Sequence, residues 1–246
     1  SVFLAVMVAF LVGLMLVRID EARSKTIFYW LLMAASLGLL ALIDFTASWL
    51  VLLVTMVLFV ALSLWKRFFR DNVNRLLIPI LLIIIATAFI PFQTQNIVTG
   101  LPREQTLPYA VSWNIGLKSA IDGPKASFLG SGIGTFHYDF AKEKPLSFNQ
   151  NWLWQIRFDR AGSYLAELLA TMGFLGILSY LAIIGIFLMF SYFILQKARN
   201  TLPLLMVFTA LVVGQFVYYQ NTTLAFLFWF SLGLSVVSWQ PLRQAQ

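Results

Sequence analysis

The chain of 246 residues contains no cysteine and a single histidine, His137. The absence of cysteine excludes disulfide bonds and thiolate metal ligands, and one histidine is too few for a histidine-based metal cluster. Charged residues are also scarce at 11%, whereas hydrophobic residues make up 60% of the chain. Because it also has apolar runs of about 18 or more residues, the chain is expected to be a membrane protein rather than a soluble domain.

Apolar runs predict seven transmembrane helices. We place them at residues 1–17, 27–43, 47–65, 76–92, 165–195, 202–218 and 223–239. The expected fold class is therefore all-α and polytopic, with four transmembrane helices in residues 1–92 and one large loop at 93–164. Three further helices and a short tail would occupy residues 165–246.

Positive charge is concentrated in alternate connecting segments. The segments after the first, third, fifth and seventh helices hold ten basic and three acidic residues, a net charge of +7. The opposite side, counting Glu167 with the long loop, holds seven of each and has no net charge. The positive-inside rule therefore predicts an extracytoplasmic loop and a cytoplasmic C-terminus. In that orientation ATP, NAD and nucleic acid would lie on the wrong side of the membrane from the loop.

The chain begins with Ser1, inside an apolar run, rather than with Met. A helix that enters the membrane from outside needs a preceding segment, so we expect the C-terminal part of a longer polytopic protein. The alternative for residues 1–17 is a cleaved signal peptide. Neither a basic segment before the run nor a small-residue cleavage site after it supports that alternative.

Residues 112–122 predict a short amphipathic helix. Trp113, Leu117, Ala120 and Ile121 recur at helical spacing, Ser112 could cap the helix, and a Gly-Pro pair follows it. We expect this helix to lie on the membrane surface. Lys118 on it could be an interfacial anchor or could bind substrate.

Glycines at positions 130, 132 and 134 predict a tight turn into a helix that begins near Thr135, with Phe136 and Phe140 on one face. The turn could also offer backbone N–H groups to a phosphate. His137 could be a packed residue or the proton carrier of the loop. Farther along, Asn149, Asn151, Trp152 and Trp154 suit sugar hydroxyls and sugar faces, although Trp is also common at membrane interfaces.

The densest charge near a predicted membrane boundary lies between Arg157 and Glu167. If the fifth transmembrane helix begins near Asp159, then Arg160, Ser163 and Glu167 share one face. Arg157 and Arg160 could bind a diphosphate through charge-assisted hydrogen bonds. Alternatively, they could anchor the loop to lipid headgroups.

Three blocks in this order resemble the O-antigen ligase and polymerase superfamily. They are Trp113 with its helix, the turn from Phe128 to Phe136, and the run from Ala161 to Gly176. That family has a Trp before a helix, a Leu-Gly-x-Gly-x-x-x-Phe turn, and Ala-His-Asn-x-x-Leu ending in Gly-x-x-Gly. This chain has Gly162-Ser163 at the His-Asn position, and it lacks the family's Arg before the Trp, where Tyr109 and Ala110 stand.

The resemblance implies a fold similar to the C-type membrane glycosyltransferases, in the cytoplasmic (inner) membrane. The implied reaction is transfer of a glycan from a polyprenyl-diphosphate donor to a glycan, lipid or protein acceptor, without a metal or other cofactor. Arg157 and Arg160 would hold the diphosphate, His137 or Glu167 would activate the acceptor, and the Asn and Trp residues, Lys118 and Ser163 would bind substrate. Two alternatives remain, a non-catalytic assembly subunit and a lipid-glycan flippase or transporter; the near absence of charges within the predicted helices disfavours a transporter.

Overall fold

A computed structural model describes residues 1–17, 23–43, 45–66, 73–91, 105–150, 153–197 and 199–244 of the protein. Within these ranges every regular element is a helix, which confirms the all-α class. Short 3-10 turns occur at Val73–Leu76, Leu146–Gln150 and Arg199–Thr201. The α helices are α1 (Val2–Val17), α2 (Arg23–Ile43), α3 (Thr46–Lys66), α4 (Leu77–Phe89), α5 (Tyr109–Ile121), α6 (Pro124–Leu129), α7 (Phe136–Glu143), α8 (Tyr164–Lys197), α9 (Leu202–Val217) and α10 (Thr222–Gln244).

All seven apolar runs form helices, but the helices differ in length. Among the residues that the structure describes, three helices contain stretches that are long and apolar enough to cross a membrane: Arg23–Ile43, Thr46–Trp65 and Tyr164–Phe193. The apolar stretches of α1, α4, α9 and α10 are shorter. A 16-residue helix such as α1 rises about 24 Å, less than the roughly 30 Å of a hydrocarbon core. By length and composition the chain thus has helices that could span a membrane, and the count of seven transmembrane helices stays a prediction.

The chain divides into two compact units. The first comprises Ser1–Leu101, Leu188–Gly214 and Thr222–Gln246, and its described core is formed by long apolar helices. Gly13 lets α1 approach the start of α9, because a Cβ there would stand 2.6 Å from the Cα of Pro203. The rings of Phe208 and Phe228 stack with centroids 5.1 Å apart, which joins α9 to α10.

The second unit comprises Pro102–Phe187 and Gln215–Asn221. Its core is a cluster of aromatic and small side chains around α5 and α7. The rings of Phe140, Phe148 and Phe158 meet edge to face, with centroids 5.5 to 6.3 Å apart. This cluster draws the loop helices onto the first turns of α8, since Ala166 and Ala170 belong to the same core.

Helix α8 is broken at Gly173, whose φ of 65° and ψ of −166° are not helical. The expectation of one uninterrupted helix over 165–195 is therefore wrong. From Phe174 to Phe193 the helix rises about 30 Å, which alone matches the hydrocarbon thickness of a bilayer. The nine residues before the break instead pack with the loop helices of the second unit.

Candidate functional site

Helix α5 begins at Tyr109, directly after Pro108, and not at Ser112 as expected. Proline is well suited to this place because it has no backbone N–H to leave without a partner. Ser112 thus lies one turn inside the helix, where its hydroxyl donates to the carbonyl of Pro108 (3.1 Å). The same hydroxyl accepts the backbone N–H of Gly162 (2.8 Å). Ser112 therefore joins α5 to the segment that leads into α8.

Small residues form most of the buried face of α5, and the expected apolar stripe is buried only in part, at Ala120 and partly at Trp113. Ser112, Gly116 and Ser119 are buried beside Ile115, whereas Leu117 and Ile121 are exposed. A Cβ at Gly116 would stand only 2.8 Å from the carbonyl oxygen of Ala166. The helix consequently approaches the backbone of α8 closely, with Ile115 in the core and with Leu117 and Ile121 facing outward.

Gly162 approaches the backbone of Leu107 even more closely. A Cβ at this position would overlap the carbonyl oxygen of Leu107. The position corresponds to the family's histidine, and no side chain fits there with this backbone. Glycine at 162 is thus a requirement of the packing between Leu107 and the start of α8.

Helix α8 begins at Tyr164, one residue before the predicted boundary at 165 and not near Asp159, so the condition for Arg160 to share its face is not met. Ser163 precedes the helix and is fully buried, with its hydroxyl donating to the carbonyl of Gln215 (3.3 Å). The N–H of Tyr164 donates to the carbonyl of Tyr218 (3.1 Å). These two bonds hold residues 215–221 against the start of α8, and they leave Ser163 no exposed surface for a substrate.

A cleft of about 360 Å³ opens where these segments meet. Its buried members, Leu107, Phe158 and Ala161, belong to the core of the unit. Arg160 lies beside them with 49% of its side chain exposed, 3.6 Å from the carboxylate of Asp159 and 5.7 Å from the centre of the Tyr219 ring. Gln105, Thr106, Asp159 and Tyr219 complete the lining. The cleft thus combines one arginine, several polar groups and an aromatic ring.

Glu167 lies next to this cleft on the first turns of α8. Its carboxylate accepts a hydrogen bond from the backbone N–H of Ala161 and is attracted by Arg160. The structure therefore brings Arg160 and Glu167 into one neighbourhood, although Arg160 precedes the helix and does not share a helical face with Glu167. A cation and a carboxylate beside a solvent-accessible cleft can hold an anionic group and accept a proton.

The other predicted site residues lie elsewhere on the unit. Arg157 is exposed and is not among the residues that line the cleft. His137 is exposed near the start of α7, with its ring 3.9 Å from that of Tyr138, so it faces away from the core that Phe136 and Phe140 form. Lys118 is exposed on α5.

The predicted sugar-binding segment is only partly described. Asn149 is exposed at the end of a 3-10 turn, and Trp154 is exposed in the segment after it. Asn151 and Trp152 lie outside the described residues. Neither Asn149 nor Trp154 lines the cleft beside Arg160.

The glycine-rich turn has the expected backbone, but its N–H groups bind protein carbonyls rather than a phosphate. Gly130, Gly132 and Gly134 all have positive φ, and α7 begins at Phe136 as expected. The N–H groups of Ser131 and Gly132 donate to the carbonyls of Ala170 (3.1 Å) and Thr171 (2.9 Å). Because both groups bind α8, neither is free for a phosphate.

A buried carboxylate, Asp139, was missed by the sequence reasoning. It is 7% exposed and accepts a hydrogen bond of 2.6 Å from the hydroxyl of Ser131, which also lies 2.6 Å from the hydroxyl of Thr135. Burial raises the pKa of Asp139, and hydrogen bonds from Ser131 and Ser119 oppose that rise. A signal was available, since Asp139 follows Phe136 by three positions and so shares its buried face.

We expect Ser131→Ala to destabilise the second unit, and more so at neutral than at acidic pH. Because the folded pKa of Asp139 is raised, its stabilising contribution is present below the ordinary aspartate pKa of 3.8 and is lost as pH rises through the folded pKa. Removing the Ser131 donor should raise that pKa further, at a cost of about 1.5–3 kcal/mol at neutral pH. The measurement is thermal unfolding at pH 7 and pH 4; an equal loss at both values would contradict it.

In comparisons with protein-family models, curated proteins and solved structures, nothing matches this chain.

Proposed function

We propose that the protein transfers a glycan from a polyprenyl-diphosphate donor to an acceptor at the outer face of the cytoplasmic membrane. The observation that carries this proposal is the cleft beside Arg160 at the start of the apolar helix α8. A lipid-linked diphosphate at a membrane surface requires a nearby cation, and a guanidinium can bind phosphate oxygens through two parallel N–H groups. The Arg160–Asp159 pair is exposed and so holds the arginine only weakly, which leaves it available to a ligand.

Each residue then has a role in the transfer. The acceptor hydroxyl attacks the anomeric carbon of the donor sugar, and the bond from that carbon to the diphosphate oxygen breaks. Arg160 stabilises the charge on the departing polyprenyl diphosphate. Glu167 accepts the hydroxyl proton through its carboxylate, which has capacity beyond its bond to Ala161. Arg157, on the exposed segment before the cleft, supplies a second cation to the donor.

The proposal includes seven transmembrane helices with the loop outside. The charge difference between alternate segments supports this orientation. The three helices of spanning length and four shorter apolar helices are compatible with it. In this topology the second unit faces the compartment where lipid-linked glycans are transferred.

Changing Arg160 to Ala should weaken donor binding. Loss of charge-assisted hydrogen bonds of about 1.5–3 kcal/mol corresponds to a roughly ten- to hundredfold higher Kd. Arg160→Lys should recover binding only in part, because an ammonium keeps the charge but lacks the planar pair of N–H groups. The probe is sugar-free polyprenyl diphosphate, with binding to the full-length protein in nanodiscs measured by native mass spectrometry.

The matched control is Lys142→Ala, which removes an exposed cation that does not line the cleft. It should leave the Kd unchanged and so separate the role of Arg160 from a general effect of surface charge. Unchanged binding in Arg160→Ala, with the protein folded, would contradict the proposed donor site.

A non-catalytic assembly subunit is the second candidate, and one observation favours it. Gly162 and Ser163 stand where the resembled family has His-Asn, and both are buried in backbone contacts. Neither can take part in proton transfer to a substrate. Two results would support this candidate. The wild-type protein would bind the donor without transferring its glycan, and Glu167→Gln would leave donor binding unchanged.

A further inference from the structure

Three apolar side chains in and beside the glycine-rich turn are exposed. Phe128 is 58% exposed, Leu129 62% and Ile133 85%. Ile133 stands between Gly132 and Gly134, whose φ values of 121° and 77° turn the chain sharply on either side of it. The turn therefore presents an isoleucine at its tip and two large apolar side chains on the short helix that leads into it.

The backbone of this turn is fixed to the break in α8. The N–H groups of Ser131 and Gly132 bind the carbonyls of Ala170 and Thr171. A Cβ at Gly173 would stand 2.7 Å from the carbonyl oxygen of Ser127 and 2.8 Å from the nitrogen of Gly130. The exposed side chains are thus held within one helical turn of the break.

The break lies at the start of the part of α8 that is long enough to cross a bilayer. Immediately after it, Phe174, Leu175 and Leu178 are exposed, as expected for side chains that face lipid. Leu178 is five residues beyond Gly173, a rise of about 7.5 Å. The turn is therefore fixed to α8 directly before the point where the exposed apolar surface of that helix begins.

The hydrogen bonds at the break in α8 are also consistent with a turn that lies at the membrane. A break in a helix frees backbone carbonyls, and at membrane depth such groups are tolerated only where protein or water satisfies them. The turn supplies those donors, since two of its N–H groups bind α8. On the adjoining helix α6, the exposed Lys125 provides a cation for lipid phosphate, as side chains at membrane interfaces commonly do.

We propose that Phe128, Leu129 and Ile133 insert into the outer interface of the bilayer, so that the turn is a lipid-inserted anchor for the second unit. The partner is lipid, because the apolar surface continues that of α8. This anchor does not depend on glycan transfer. It would act beside α5, which is also expected to lie on the membrane surface.

The test uses single-cysteine spin labels, which need no background removal because the chain has no cysteine. Ile133→Cys is labelled in full-length protein reconstituted into vesicles of phosphatidylcholine and phosphatidylglycerol. We expect frequent collisions with oxygen and a loss of collisions with a water-soluble nickel chelate. Leu146→Cys is the control, because Leu146 is equally exposed, at 86%, but lies in a different part of the unit.

Equal nickel accessibility at positions 133 and 146 would overturn the proposal. Protection at 133 that falls when labelled protein is diluted with lipid would assign the surface to a second copy of the chain, and would also overturn it. Phe128→Cys provides an independent position, since this side chain is exposed and its replacement does not disturb the core. Protection at both 128 and 133, independent of protein concentration, is the result expected.

Discussion

Gly162→Ala is expected to unfold the second unit or to prevent its assembly. The added Cβ would overlap the carbonyl oxygen of Leu107, which is backbone and cannot turn aside as a side chain could. Overpacking costs about 1–3 kcal/mol and sometimes more. A shift of Gly162 would also break its bond to the Ser112 hydroxyl and strand a buried donor, at a further cost of about 1–3 kcal/mol. Leu107 and Ala161 line the cleft, so donor binding should be lost as well.

The measurement is thermal unfolding of the purified protein together with its folded yield in membranes. Gly233→Ala is the matched control, because a Cβ at this helical glycine meets nothing within 4 Å. Alanine is favoured over glycine in a helix by about 1 kcal/mol, so the control should be neutral or stabilising. Gly162→His would restore the residue of the resembled family and should still fail to fold. Stability of Gly162→Ala equal to that of the control would refute the packing argument.

Local spacing was enough to predict α7 and the turn before it. Phe136 and Phe140 are four residues apart and lie in the core, and the preceding glycines have the positive φ that such a turn favours. These features depend on neighbours in the chain. The same applies to the seven apolar runs, each of which forms a helix.

Features that depend on close backbone approach could not be predicted. Of the expected stripe of Trp113, Leu117, Ala120 and Ile121, only Ala120 and part of Trp113 are buried. The close backbone contacts of α5 are made instead by Ser112 and Gly116. Small side chains give no signal in a hydrophobic pattern. They matter because they let another segment pack closely against them, and the sequence does not show which segment that is. The break at Gly173 was missed for the same reason, since it is stabilised by a turn about forty residues earlier.

The candidate site was predicted in part. Arg160 and Glu167 were selected for their charge near an apolar helix, and they lie in one neighbourhood. Their surroundings come from Leu107 and Tyr219, which are distant in sequence, so periodicity could not connect them. The start of α8 at Tyr164 also places Arg160 at a bend before the helix, where it lies beside Tyr219 and Asp159 and helical spacing does not apply.

Gly173→Ala is expected to release the glycine-rich turn from α8. A φ of 65° with a ψ of −166° is accessible to glycine, and holding another residue in such a conformation costs about 1–3 kcal/mol. The new Cβ would also press on the backbone of Ser127 and Gly130. Amide hydrogen exchange at Ser131 and Gly132 should therefore become roughly ten- to hundredfold faster, because local opening becomes easier by a similar free energy.

Gly185→Ala in the same helix is the control, since a Cβ there meets nothing within 4 Å and should leave exchange in the turn unchanged. Exchange is followed by mass spectrometry on a peptide that covers residues 128–135. A spin label at position 133 should gain nickel accessibility in Gly173→Ala, because the turn would no longer be fixed to α8 through its bonds to Ala170 and Thr171. If exchange in this peptide stays as slow in Gly173→Ala as in Gly185→Ala, then the break in α8 does not hold the turn, and the depth assigned to Ile133 loses its structural support.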